Sequence, residues 1–142
     1  MTSIFLFLLL IILVILSGFL SGSETAITAT SKARILYKKK KGSKRAEYVL
    51  QLLDKKDNVI STLLLSNNLV NILASSLATA FFYDIFGVEG IFYATLIMTI
   101  VIVIFAEVLP KTYAINRPNR TALLISPVIY YLNKILFIFV FI

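Results

Sequence analysis

Few residues in this chain have side chains that do chemistry, and most of those lie inside apolar runs. Ile104-Phe-Ala-Glu-Val-Leu-Pro-Lys111 ends one run with Glu107, the one acidic residue in any membrane-length segment. A carboxylate within a span is costly and marks a functional site by default. A second run carries Asn67 and Asn71, four residues apart and so on one face of a helix, with Asn68 beside Asn71 on the i, i+3 diagonal. A third ends in Ser17-Gly-Phe-Leu-Ser21-Gly-Ser-Glu, where Ser17/Ser21 and Gly18/Gly22 form two stripes of small residues. Hydroxyls, amide carbonyls and one carboxylate make an all-oxygen set, which suits a hard cation such as Mg²⁺, Ca²⁺ or Na⁺. Pro110 cannot donate to the carbonyl four residues back, so the Ala106 carbonyl is expected to be freed beside Glu107. One carboxylate leaves a divalent ion half neutralised, which favours release over permanent retention.

Other readings of these residues are bland. Asn and Ser in spans are often interhelical glue, worth about 1 kcal/mol per contact. Glu107 and Lys111 are spaced to pair along a helix. The glycine stripe is equally explained by packing. The chain has no Cys and no His, so thiolate and imidazole metal sites, disulfides and Cys or His nucleophiles are excluded. Ser21 has no base near it except Glu107, so no enzyme is expected.

Composition sets the frame that must position these groups. Of 142 residues, 59% are hydrophobic, and the mean hydropathy is +0.93, far outside the range of soluble domains. An all-α integral membrane domain over 1–142 is expected. Its spans lie at about 4–26, 59–82 and 91–109. The first is read as a retained span, because no positive segment precedes it and no small-residue cleavage site follows.

Ten of the fourteen basic residues lie in 32–56. Ala46, Val49, Leu50 and Leu53 have amphipathic spacing, and Gly42 divides the block into a pair of juxtamembrane helices over 31–57. Positive charge flanking spans is topology information and does not point to nucleic acid. It places 31–57 and 111–120 in the cytoplasm and the N-terminus outside, in a multi-pass protein of the cell (inner) membrane. Anionic headgroups are the expected partners of the basic block. Asp57-Asn58 reads as the start of the second span. Segment 120–142 is either a fourth span or an interfacial, re-entrant helix; Pro127 and Lys134 favour the second. Its apolar end, Phe-Ile-Phe-Val-Phe-Ile, suggests that a longer protein continues.

Taken together, Ser21-Gly-Ser-Glu-Thr-Ala26, Asn67-Asn-Leu-Val-Asn71 and Glu107-Val-Leu-Pro-Lys111 resemble the transmembrane domain of the CorC/CNNM (cyclin M) family. The resemblance covers nearly the whole chain. It implies a homodimer of three-span subunits, with a C-terminal belt helix that does not cross and cytoplasmic CBS-type domains downstream. It further implies Mg²⁺ transport, as sodium-coupled export, with Ser21, Asn67, Asn71 and Glu107 matching the family's ion-binding residues. Ser17, Gly18, Gly22, Ser23, Asn68, Ala106, Pro110 and Lys111 are further candidates for the site or pathway, with rearrangement expected about Gly18/Gly22 and Pro110. Ser66 before Asn67 departs from the family, where glycine is more usual. The rival expectation is a membrane anchor or Mg²⁺ sensor that dimerises and carries regulatory domains.

Overall fold

The computed structural model describes residues 2–140, so the last two residues of the expected belt lie outside the described residues. The chain is helical along nearly its whole length. Helices α1 (Thr2–Ala29), α2 (Lys32–Lys40), α3 (Lys44–Asp54), α4 (Lys56–Phe86), α5 (Glu89–Val101), α6 (Leu109–Asn116) and α7 (Pro118–Val140) follow in order. A π-helical stretch, Ile102–Val108, joins α5 to α6 without a break. Three helical segments are long and apolar enough to cross a bilayer: Ile4–Ala29, Lys56–Phe86 and Glu89–Asn116.

Two helices form in the basic block, as expected, and local chemistry says why. Ser43 Oγ accepts the Ala46 N–H at 3.2 Å and caps α3. Gly42 adopts φ +94°, which only glycine enters without strain. Its N–H reaches Lys39 O at 2.9 Å, and the Ser43 N–H reaches Lys38 O at 3.1 Å. This pair of bonds is a Schellman motif, and it closes α2. On α3 the buried stripe is Ala46, Val49, Leu50 and Leu52; Leu52 goes deeper than the expected Leu53, which is only half-buried.

Each of the three long helices extends beyond the span expected in it. The second starts at Lys56, ahead of Asp57-Asn58, and has no side-chain cap. At 31 residues it is about 46 Å long, well beyond the ~30 Å hydrocarbon core. The third does not stop at Leu109, because helical backbone runs through Pro110 to Asn116.

Packing divides the domain into two apolar clusters along the axis of α1. One joins Leu10 and Leu13 of α1 to Ala74 and Ala78 of α4 and to Ala94 and Met98 of α5. The other gathers Leu20 and Ile27 of α1 with α2, α3, the start of α4, Ala114 of α6 and the Ala122, Ile125 and Ile129 face of α7. Large apolar side chains such as Leu65, Leu69 and Ile72 stand exposed on α4. Such a surface suits a lipid solvent and not water.

Helix α7 lies against α3, with the Tyr48 and Tyr130 rings 5.1 Å apart. Pro127 sits inside it without ending it. The carbonyl that Pro127 leaves unserved, Leu123 O, accepts from Ser126 Oγ at 2.9 Å. Arg45 Nη1 donates to Leu124 O at 3.2 Å and ties the same turn to α3.

The α4–α5 hairpin depends on close approach. A Cβ on Gly90 would stand 2.1 Å from Phe82 O, in backbone that cannot move aside. Gly42 has open space around it and pays only for its positive φ. Gly90→Ala is therefore expected to cost about 2–3 kcal/mol and Gly42→Ala about 1–2 kcal/mol. Thermal unfolding in detergent checks this, and the reverse order would contradict the packing described.

Candidate cation site

Between the two apolar clusters lies one polar layer. Ser17 follows Leu13 and precedes Leu20 on α1, while Asn67 and Asn71 fall between Leu63 and Ala74 on α4. Ser17 Oγ, 1% exposed, stands 2.7 Å from Asn67 Oδ1 and 2.5 Å from Asn71 Oδ1. Three oxygens converge there, and only the Ser17 hydroxyl brings a proton. It can donate to one amide at a time, so the second close oxygen pair lacks a hydrogen between its lone pairs. Turning one amide end for end would offer Ser17 an N–H donor. The same three side chains thus close on themselves without a cation, or present an all-oxygen set to one.

Ser21 is one turn further along the same face of α1. It is fully buried, and its Oγ has no hydrogen-bond partner. Neighbouring hydroxyls behave otherwise: Ser23 bonds Phe19 O, Thr25 bonds Ser21 O and Thr28 bonds Glu24 O. An orphaned buried hydroxyl costs about 1–3 kcal/mol, which calls for a ligand or a bridging water. The expected candidate Ser23 is buried, but its proton is committed to its own helix. Thr62 was not among the expected site residues, yet its Oγ1 is also buried and unpartnered on α4. The only sign of it in the sequence is its place in the polar half of the span.

The glycine stripe adjoins the serine stripe and meets the third span. A Cβ on Gly18 would lie 3.2 Å from both Phe105 O and Pro110 Cγ, and 3.7 Å from the Ala106 Cα; one on Gly22 would lie 3.4 Å from Pro110 Cβ. Close packing therefore accounts for both glycines. The π-helical register bears on which carbonyl is freed. The Leu109 N–H reaches back five residues to Ile104 O. Phe105 O has then lost Leu109 as a donor, and the residue five ahead of it is Pro110, which has none. In this register the Phe105 carbonyl lacks a helical donor, and Pro110 denies one to Ala106 at the α-helical spacing. The Phe105 carbonyl faces Gly18, the residue after Ser17.

Glu107 is half-buried in the π-helical stretch. It makes no hydrogen bond or ion pair among the described residues. The expected alternative pairing with Lys111 is not formed: Lys111 is exposed, and the one ion pair among the described residues is Lys32–Asp54 at 4.0 Å. Asn68 is exposed, turned away from Asn67 and Asn71. The structure thus joins Ser17, Asn67 and Asn71 by contact, and Gly18 and Gly22 with Phe105, Ala106 and Pro110 by contact. It leaves Glu107 one residue beyond Ala106 without a polar partner. Among the described residues there is no cluster of three or more acidic, His or Cys side chains. A cation held here would rest mainly on neutral oxygens.

Three apolar spans around a buried amide–hydroxyl layer define a multi-pass membrane domain whose polar chemistry is enclosed between its helices. Residues 8–142 match the family described as the cyclin M transmembrane N-terminal domain, and the chain belongs to that family. It is 37% identical over 132 residues to a UPF0053 protein of Haemophilus influenzae, covering 93% of this chain and 31% of that protein. It is 40% identical over 131 residues to the UPF0053 inner membrane protein YfjD of Escherichia coli, covering 84% of this chain and 31% of the relative. A chloroplastic DUF21 domain-containing protein of Arabidopsis thaliana is 29% identical over 130 residues, covering 92% of this chain and 20% of that protein. The chain thus spans less than a third of the length of these relatives.

The two serines on one face of α1 should respond oppositely to removal of the hydroxyl. Ser17→Ala leaves two amide oxygens without their shared proton and is expected to lower stability by about 1–2 kcal/mol. Ser21→Ala removes an unpartnered buried hydroxyl and is expected to be neutral or stabilising in ion-free buffer. Thermal unfolding of both variants in detergent is the measurement; a larger loss at Ser21 would mean that Ser21 has a partner.

Proposed function

We propose that this domain carries Mg²⁺ across the membrane, as sodium-coupled export. The observation that carries the reading is the convergence of Ser17 Oγ, Asn67 Oδ1 and Asn71 Oδ1 on one proton between two apolar cores. Ser21 supplies a further oxygen, buried and without a hydrogen-bond partner among the described residues. Glu107 supplies the single formal charge when the third span turns it toward the layer. The π-helical stretch and Pro110 provide the loosened backbone for that turn. One carboxylate with neutral oxygens binds a divalent ion modestly, which a transporter needs for release. Mg²⁺ keeps several waters when bound by so few ligands.

The rest of the reading follows the distribution of charge. The basic α2–α3 pair and the segment after Lys111 lie on the cytoplasmic side, and the N-terminus lies outside. The membrane is the cell's inner membrane, as the name of the E. coli relative states for that protein. Helix α7 is a belt that rests on α3 without crossing, two subunits pair through their spans, and anionic headgroups meet the basic helices.

A second reading has its own support: an anchor or sensor that does not transport. Ser17 and Asn67 complete a hydrogen bond without help, and Glu107 makes no polar contact with the amides. Flux measurements separate the two. Full-length protein in liposomes should move Mg²⁺ against an opposing sodium gradient, and replacing sodium by a large organic cation should stop it. Glu107→Gln and Asn67→Ala should each slow transport by about tenfold or more. Normal flux in Glu107→Gln would remove Glu107 from the site, and no flux from wild type under any gradient would favour the anchor.

A further inference from the structure

Away from the spans, α3 and α7 enclose a second polar site. A cavity of about 380 Å³ lies between the end of α3 and the middle of α7, walled by Gln51, Asp54, Lys55, Tyr130, Asn133 and Lys134. Asn133 is nine-tenths buried, and its Oδ1 has no hydrogen-bond partner. It occupies the position on α7 that continues the buried stripe Ala122, Ile125, Ile129, where an apolar residue would pack at no cost. A buried amide oxygen without a donor is costly. Its neighbours across the cavity are mostly donors. The ring carries Lys55 and Lys134 against Asp54, a net charge of +1, and Asp54 already leans on Lys32 at 4.0 Å. One phosphodiester matches that charge.

The source of the phosphodiester follows from the opposite face of α7. Leu124, Val128, Tyr131 and Ile135 form an exposed apolar stripe, each more than half exposed. Such a stripe needs hydrocarbon over it. Tyr130, Tyr131 and Lys134 beside it are the residue types that settle at the headgroup level of a bilayer. With its apolar stripe on acyl chains, α7 holds the cavity at the depth of phospholipid headgroups.

We propose that this cavity binds one anionic phospholipid headgroup that bears hydroxyls, of the phosphatidylglycerol class. Lys55 and Lys134 hold the phosphodiester, and the Asn133 amide accepts from a headgroup hydroxyl after a small turn about its last side-chain bond. The site is discrete, unlike the diffuse attraction of the lysine run on α2. It fixes the seam between α3 and α7 to the membrane surface, and it does not depend on which ion the spans carry.

Native mass spectrometry of the full-length protein, with phosphatidylglycerol, phosphatidic acid and phosphatidylcholine supplied equally, tests this. Wild type should retain one phosphatidylglycerol per subunit in preference to the others. Lys55→Gln with Lys134→Gln, both on exposed side chains that packing tolerates, should weaken retention by about tenfold. Lys39→Gln with Lys40→Gln, the same charge change on α2, should leave it unaltered. Asn133→Leu should abolish the preference for phosphatidylglycerol over phosphatidic acid. Equal losses from the two lysine pairs would reduce the site to diffuse electrostatics and overturn it. So would equal retention of phosphatidylcholine. Displacement of the lipid by soluble glycerol phosphate would assign the cavity to a cytosolic ligand instead.

Discussion

One hydroxyl placed between two amide oxygens, in the middle of an apolar bundle, is the constraint on which the domain depends. Ser17 brings one proton to Asn67 and Asn71. In lipid there is no water to supply a second donor, and each unsatisfied group is costly. The rest of α1 and α4 is arranged around that layer. Apolar clusters above and below it hold the helices at a fixed distance. They set the register at which the serine meets both asparagines. A slip of one residue on either helix would separate them and leave three polar groups in hydrocarbon.

The third span meets the same helix on the next stripe over. Gly18 and Gly22 have no side chain, so Pro110 and the Phe105 carbonyl come within van der Waals distance of α1. A tight contact of this kind usually rigidifies a helix pair. Here the contacting partner is a π-helical stretch, a form that appears mostly at functional sites. Its extra residue per turn leaves the Phe105 carbonyl unserved beside Gly18. Tight packing and locally loosened hydrogen bonding therefore coincide where the third span meets the glycines of α1. The carboxylate of Glu107 lies on that loosened turn.

The periphery obeys a different logic. Around α2, α3 and α7 the helices have capped ends, a Schellman closure and a carbonyl rescued by a neighbouring serine at Pro127. These devices satisfy backbone groups locally, as in a water-soluble protein. They let a basic layer fold without burying charge. The exposed stripe of α7 and the unsatisfied Asn133, on opposite faces of that helix, depart from that logic.

Much of this was legible in the residues themselves. Runs of Leu, Ile, Val and Phe long enough for a bilayer require spans, because nothing else buries them. The i, i+4 spacing of Asn67 with Asn71 and of Ser17 with Ser21 settles which side chains share a face of a helix. Ser43 and Gly42 mark helix ends by their own local bonding. What faces what was not legible, since it depends on residues distant in the chain. Only the folded bundle showed that Ser17, more than Ser21, is the direct partner of the asparagines. It also showed that Asn68 points away, that Glu107 and Lys111 do not pair, and that a π-helical turn leaves the Phe105 carbonyl without a helical donor. Helix periodicity is a property of one segment, whereas register between segments is decided by how their apolar clusters pack.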